Sequence, residues 1–332
     1  MTEKTLSQET VALQVASSPH LSALGSSTRR VMLDVIIGLL PILVVSVWIF
    51  KCLALFQISL CVASCLVFET IFTKMRRRSC TLGDLSAVIT GLILAFSLPA
   101  TAPWYVAGIA SFVAIGIGKY AFGGLGMNIF NPAMVGRAFV MISFAQLLGA
   151  GAYLAPNAGI DILTQATPLT AFKQEALRPE LGSLLWGTHN GSIGETSALA
   201  ALIGGIYLCI RRVASWEIPA GVILSVLLIA ALHLWISPNT SMGILETLTS
   251  GALLFGAFFI ATDPVTSPIA PKGKFIFGAG VGAFIMLLRI FSGYPEGVMF
   301  AVLFMNGLTP LINRWTIPQI LGQVKEKKAK AA

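Results

Sequence analysis

The chain has 332 residues and a mass of 35.2 kDa, with 56% hydrophobic residues, 11% charged residues and a mean hydropathy of +0.84. Soluble domains carry roughly 25% charged residues, so a water-soluble enzyme, a disordered chain and a nucleic-acid binder are all disfavoured, and a polytopic membrane protein remains. The formal charge of +8 then reads as basic loops held on one side of a bilayer, with no nucleic-acid partner implied.

Long unalternating apolar stretches, such as Val31 to Phe50 and Gly221 to Trp235, do not fit the alternation of a membrane β-barrel and predict an all-α helical bundle. Residues 1–30 are polar and lack the apolar core of a cleavable signal, so they are expected to form a cytoplasmic segment ahead of an uncleaved first helix. Windows long enough to cross the membrane fall near 31–50, 53–72, 83–99, 104–122 and 132–150, giving a first transmembrane group over residues 31–150. A polar loop follows over 151–192. Five more windows, near 193–210, 217–236, 245–262, 274–291 and 297–313, make a second group over 193–313, and 314–332 is a basic tail. Ten spans put both termini on one side. That side collects Arg29, Arg30, Lys74, Arg76 to Arg78, Lys119, Arg211, Arg212, Lys272, Lys274 and the tail, while the other side holds little beyond Lys51, Lys173, Arg178 and Arg289. The positive-inside rule therefore predicts cytoplasmic termini and an outward-facing 151–192 loop.

Within the spans, Gly278 and Gly282 form a small-xxx-small face suited to close helix packing. Asn131-Pro132 and Asp263-Pro264 each open a hydrophobic run, as an N-cap followed by proline at the first helical position. The echo hints at an internal duplication of the kind transporters show. The acidic residues Asp34, Glu69, Asp84, Glu246, Asp263 and Glu296 all fall near predicted helix ends, where capping or ion pairing accounts for them. Glu69, for example, lies within two turns of Lys74 and Arg76. Arg137 is the exception, about two turns into the fifth span, where it either snorkels or holds an anionic group. Cys61 and Cys65 read as small buried hydrophobes, and His20, His189 and His233 never reach metal-ligand spacing. No triad order, phosphate loop or dinucleotide fingerprint is present.

The outer loop carries Asp161-Ile162-Leu163-Thr164-Gln165-Ala166-Thr167-Pro168-Leu169-Thr170. Thr167 is a good N-cap and Pro168 a good first helical residue for a short amphipathic helix running to Leu177. The proline also holds Thr167 in an extended conformation, so its hydroxyl is presented as a possible attachment point.

Five blocks in order carry a resemblance: Ser17-Ser18-Pro19-His20, Asn131 to Gly136, Ala166 to Leu169, Ala261 to Pro268, and Gly293 to Gly297. Over nearly its whole length the chain resembles the D subunits of Rnf-type ion-translocating electron-transport complexes, and more distantly the B subunits of sodium-pumping NADH:quinone reductases. In that family an Asp-x-x-Ser/Thr-Gly-Ala-Thr motif carries FMN on its last threonine through a phosphoester made by a flavin transferase. Asp161, Thr164, Ala166 and Thr167 match, and Gln165 stands where the family has glycine. The resemblance thus implies covalent FMN at Thr167, a second, noncovalent flavin (riboflavin) among the helices, and a place in the bacterial inner membrane with the flavin loop in the periplasm. It also implies partner subunits bearing iron-sulfur clusters and FMN, in a complex linking ferredoxin and NAD redox chemistry to cation movement. Two other readings of the residues stay open: a secondary transporter of a small solute with no chromophore, and a passive assembly scaffold.

Overall fold

The computed structural model describes residues 27–77, 81–148, 167–175, 177–238, 241–294 and 296–318, and among them every regular element is helical. The helices are α1 (Thr28–Phe50), α2 (Cys52–Met75), α3 (Ser86–Ser97), α4 (Trp104–Val113), α5 (Pro132–Ser143), α6 (Ala145–Leu148), α7 (Pro168–Glu175), α8 (Leu181–Trp186), α9 (Ala198–Ile210), α10 (Glu217–Ile236), α11 (Ile244–Thr249), α12 (Leu253–Phe255), α13 (Pro271–Phe291) and α14 (Val298–Thr316). A short 3₁₀ turn, Leu82–Asp84, leads into α3. Two helices run on into π-helical segments, α4 through Ala114–Tyr120 and α12 through Gly256–Ile260. By length and apolarity α1, α2, α10 and α13 can each cross a bilayer unaided. The other apolar helices are shorter or broken and shelter among them. This is the polytopic bundle expected, with the windows near 83–99 and 245–262 realised as α3 and as the interrupted run α11, α12 and π-helix.

Contacts fix which ends lie together. Asp34, nearly two turns into α1, pairs with Arg211 after α9 at 3.3 Å, and Gly273 at the start of α13 packs on Thr316 at the end of α14. These mark an inner end. At the opposite, outer end, Ser46 late in α1 donates to the Ile193 carbonyl at 2.7 Å, and Lys173 of α7 reaches the loop between α13 and α14. The α1–α5 group enters the bundle from the inner end and the α9–α14 group from the outer, so corresponding crossings run in opposite senses, with one π-helical segment in each group.

Small residues let the crossings approach. A Cβ on Gly204 of α9 would fall on the Gly38 carbonyl of α1, and Gly278 and Gly282 of α13 leave room for the Ile218 and Val222 backbone of α10. Since lipid tails are as apolar as leucine, this close van der Waals contact, rather than exclusion from water, holds helices to one another in a membrane.

Several local expectations hold and three are corrected. Asn131 caps α5 with its side chain, accepting from the N–H groups of Ala133 and Met134, with Pro132 at the first position. Asp263 does not open a helix. It accepts from the Val265 N–H at 3.2 Å in a turn, and the next helix begins only at Pro271, because Pro264 and Pro268 leave a six-residue stretch with too few donors to propagate. Glu69 pairs with neither Lys74 nor Arg76. It is buried, whereas Lys74 and Arg76 are exposed at the end of α2, and it meets Lys119, whose Nζ lies 2.9 and 2.8 Å from its two oxygens. Lys119 is therefore no loop cation: it is buried, and also donates to Ser86 Oγ at 2.6 Å. Cys61 and Cys65 are buried among apolar neighbours, as read. The Ser17 to His20 block, Cys80, Asp161 to Ala166 and residues 319–332 of the basic tail lie outside the described residues.

Candidate functional site at the outer end

Thr167 sits immediately before α7 and caps it as the sequence suggests, but its hydroxyl is folded back onto Thr170 rather than presented outward. Its Oγ1 accepts from the Thr170 N–H at 3.3 Å and lies 2.9 Å from the Thr170 hydroxyl. Leu169 and Thr170 are buried beneath it, while Thr167 itself stays partly exposed. The helix is anchored from below: Lys173 donates to the carbonyls of Ser292 at 2.8 Å and Tyr294 at 2.9 Å. Partial desolvation, with Arg289 nearby, pulls the Lys173 pKa down.

Thr167 lines a cavity of about 220 Å³, together with Arg137, His189, Glu195, Tyr294 and Glu296. The walls come from six places in the chain: α5, α6, α7, the segment before α9, the break between α11 and α12, and the loop between α13 and α14. Arg137, the sequence's misplaced cation, is 9% exposed and pairs with Glu296 at 3.3 Å. Glu296 also accepts from the Ala252 N–H at the entrance to α12, one of the donors a helix start leaves without a partner. Burial pushes the Glu296 carboxyl up to about 7, the neighbouring Glu195 adds to the rise, and Arg137 opposes it. Glu195 accepts from the Ser192 N–H at 2.8 Å. Burial holds the His189 imidazole below its usual pKa. Arg289 lies behind the wall at Gly251, donating to the carbonyls of Thr247 at 2.6 Å and Ser250 at 2.8 Å where α11 breaks. Gly251, at φ +66°, makes that break possible, since a Cβ there would meet Leu169 at 2.8 Å and crowd Arg289 and Glu296.

Chemically, this is a mostly apolar chamber beside the Thr167 hydroxyl, with Arg137, His189 and two carboxyl groups set into its wall. Sequence reasoning finds Thr167 and Arg137 separately and the structure joins them. It misses Glu195 and His189 as site residues, and places Glu296 only at a helix end. The one local signal available is the Gly293 to Gly297 block around Glu296.

A second cavity, about 100 Å³ and open to solvent, lies at the inner end, lined by Thr90, Lys119, Asn131, Phe259 and Asp263 among others. Asn131 donates to the Ile260 carbonyl at 3.3 Å, tying the start of α5 to the end of the π-helical segment beside this cavity. Among the described residues no cluster of His, Cys, Asp and Glu could hold a metal ion.

A profile of the NQR2, RnfD, RnfE family matches residues 14–322. The chain is 40% identical over 320 residues to the D subunit of the Na(+)-translocating ferredoxin:NAD(+) oxidoreductase complex of Acetobacterium woodii, covering 95% of this chain and 97% of that protein. It is 38% identical to the D subunit of the ion-translocating oxidoreductase complex of Actinobacillus succinogenes, covering 93% and 98%. It is also 38% identical to the D subunit of the proton-translocating ferredoxin:NAD(+) oxidoreductase complex of Clostridium ljungdahlii, covering 93% and 96%.

Proposed function

Since this chain belongs to the NQR2, RnfD, RnfE family, we propose that it is the membrane-embedded D subunit of a complex that couples electron transfer between ferredoxin-type and NAD partners to cation translocation, and that it carries FMN on Thr167 through a phosphoester. The observation that carries the second half is the Thr167 hydroxyl at the mouth of the outer cavity. A phosphoryl group on that oxygen would lie at the start of α7, where backbone N–H groups and the positive end of the helix dipole favour an anion. The Thr170 hydroxyl and Arg137 are the side chains placed to hold it. Bound there, the isoalloxazine ring supplies one- and two-electron chemistry. The chain's own residues set its surroundings: Lys173 holds α7 in place, Tyr294 offers an aromatic face at the rim, and Arg137 with Arg289 supplies positive charge near the ring.

The inner cavity suits the second flavin, riboflavin. Phe259 offers a face for a flat ring, and Thr90, Asn131 and Thr262 offer hydrogen-bonding groups. The described helix-end cations cluster at the inner end, among them Arg211, Arg212, Lys272 and Lys274, which supports a cytoplasmic inner end and a periplasmic flavin loop in a bacterial inner membrane. Clusters and nicotinamide belong on partner subunits, some bearing iron-sulfur centres or FMN of their own, and a flavin transferase would load Thr167.

The test is ultraviolet fluorescence of the denatured polypeptide, followed by mass spectrometry of the Thr167 peptide, in protein made with an active flavin transferase. The expected result is fluorescence that survives denaturation, with FMN less water added to Thr167 and lost in Thr167→Ala. Fluorescence retained by Thr167→Ala, or an unmodified wild-type peptide, would overturn the assignment. Stoichiometric solute uptake by the purified, colourless chain in liposomes would instead support a transporter, a reading to which the broken α11–α12 crossing lends itself.

A further inference from the structure

Glu195 and Glu296 reach the outer cavity from different parts of the chain and both line it, close enough that the Glu195 charge makes the Glu296 carboxyl harder to ionise. The groups facing the pair are Arg137 from α5 at 3.3 Å from Glu296, Arg289 from α13, Lys173 from α7 on the same outer loop, His189 and the Ser192 N–H from the segment before α9, the Ala252 N–H at α12, and Tyr294. His189 lines the same cavity, is 9% exposed, and its Nε2 has no hydrogen-bond partner. The cavity therefore holds two carboxyl groups, the Arg137 guanidinium paired with one of them, and a buried imidazole.

We propose that the Glu195–Glu296 pair is the proton-accepting site of the outer cavity, taking up one proton from the outer solvent when an electron arrives there and releasing it when the electron leaves. The inference rests on the reading of Thr167 as the flavin attachment point.

The balance is simple. An electron delivered by a redox-partner protein adds one negative charge to the cavity. One proton from the outer solvent forms an O–H bond on Glu296, so the net charge of the cavity is unchanged. On reoxidation the electron passes to the next carrier, the O–H bond breaks, and the proton returns to the solvent it came from. An uncompensated charge in a partly buried chamber interacts far more strongly with its surroundings than it would in water, which is what drives the uptake. The raised pKa of Glu296 poises it to change state near neutral pH.

The experiment is a redox titration of the covalent flavin in the assembled complex at a series of pH values, with redox-difference infrared spectra of the same samples. Wild type is expected to show a midpoint potential that falls as pH rises through neutrality, and a protonated-carboxyl band that appears on reduction. Glu296→Gln should flatten the slope in that range and lose the band, while its flavin content on denaturing gels stays at the wild-type level. Glu195→Gln, which keeps the volume and removes the neighbouring charge, should move the change of slope to lower pH. An unaltered slope and an unaltered band in Glu296→Gln would overturn the proposal. So would an unmoved slope in Glu195→Gln, which decides the matter if Glu296→Gln does not accumulate. Failure of the underlying reading shows separately, as a wild-type polypeptide without fluorescence on the denaturing gel, and it would remove the redox coupling with it.

Discussion

Lys119 Nζ lies 2.8 Å from one oxygen of Glu69 and 2.9 Å from the other, with the lysine side chain 3% exposed and the glutamate 0%. This bridge ties α2 to the π-helical extension of α4. Removing one partner of such a pair leaves a buried charge with no compensation, a loss of about 3–5 kcal/mol. We expect Lys119→Met alone and Glu69→Gln alone to lower the melting temperature in detergent sharply. The double variant Glu69→Leu, Lys119→Met should recover much of the loss. A double variant no more stable than the singles would show that the pair is not the tie described.

Thr167 caps α7, and in the function proposed above it also carries the flavin; the two roles separate by substitution. Thr167→Ala should remove covalent flavin and weaken the start of α7 by about 1 kcal/mol, leaving membrane insertion unchanged. Thr167→Ser keeps an oxygen able to accept from the Thr170 N–H and should retain both. Gel fluorescence, and protection of α7 from an outer-side protease, read the two functions independently.

Lys173→Met should release α7 from the loop between α13 and α14, because the two carbonyls it serves have no equal replacement in methionine. Protein with this change should be cleaved faster near α7 by proteinase K added at the outer side, with the helices of the bundle unaffected. Unchanged cleavage would mean that the buried Leu169 and Thr170 alone hold the helix down.

Two groups outside the spans oppose each other in pH dependence. Burial lowers the His189 pKa below 6.5, so the unfolded chain takes up a proton that the folded one refuses, and stability falls as pH drops through the unfolded value. Glu296 has the reverse sign: raised from 4.5 to about 7, it binds a proton better when folded, and that advantage fades as pH rises across this window. His189→Gln should therefore narrow the difference in melting temperature between about pH 5.5 and pH 7.5 on the acid side, measured against wild type at each pH so that the Glu296 contribution cancels. Equal profiles for the two proteins would contradict the buried neutral imidazole.

Hydropathy locates the long apolar helices, because the bilayer demands apolar length whatever the path of the chain. It does not reveal that the window near 245–262 is interrupted, since Gly251 at positive φ and a π-helical turn change geometry without changing composition. Residue type flags Arg137 and Thr167, each locally odd. Their meeting depends on Glu296, 159 residues from Arg137, and no local pattern encodes a pairing at that range. The Glu69 partner escapes the sequence for the same reason: Lys74 and Arg76 are near along the chain, but the face of α2 that holds Glu69 is turned inward toward Lys119. Caps, by contrast, are written within four residues, and Asn131 and Thr167 are legible for that reason.

The Lys173 anchor joins α7 to a carbonyl 121 residues further along the chain. At roughly 5–20 residues per second of synthesis, the partner of Lys173 is made on the order of ten seconds after Lys173 itself. Until then the newly made segment around Thr167 has neither its latch nor the Glu296 wall beneath it. The hydroxyl is thus most open to a modifying enzyme early in the life of the chain, and completion of the last two helices closes that interval.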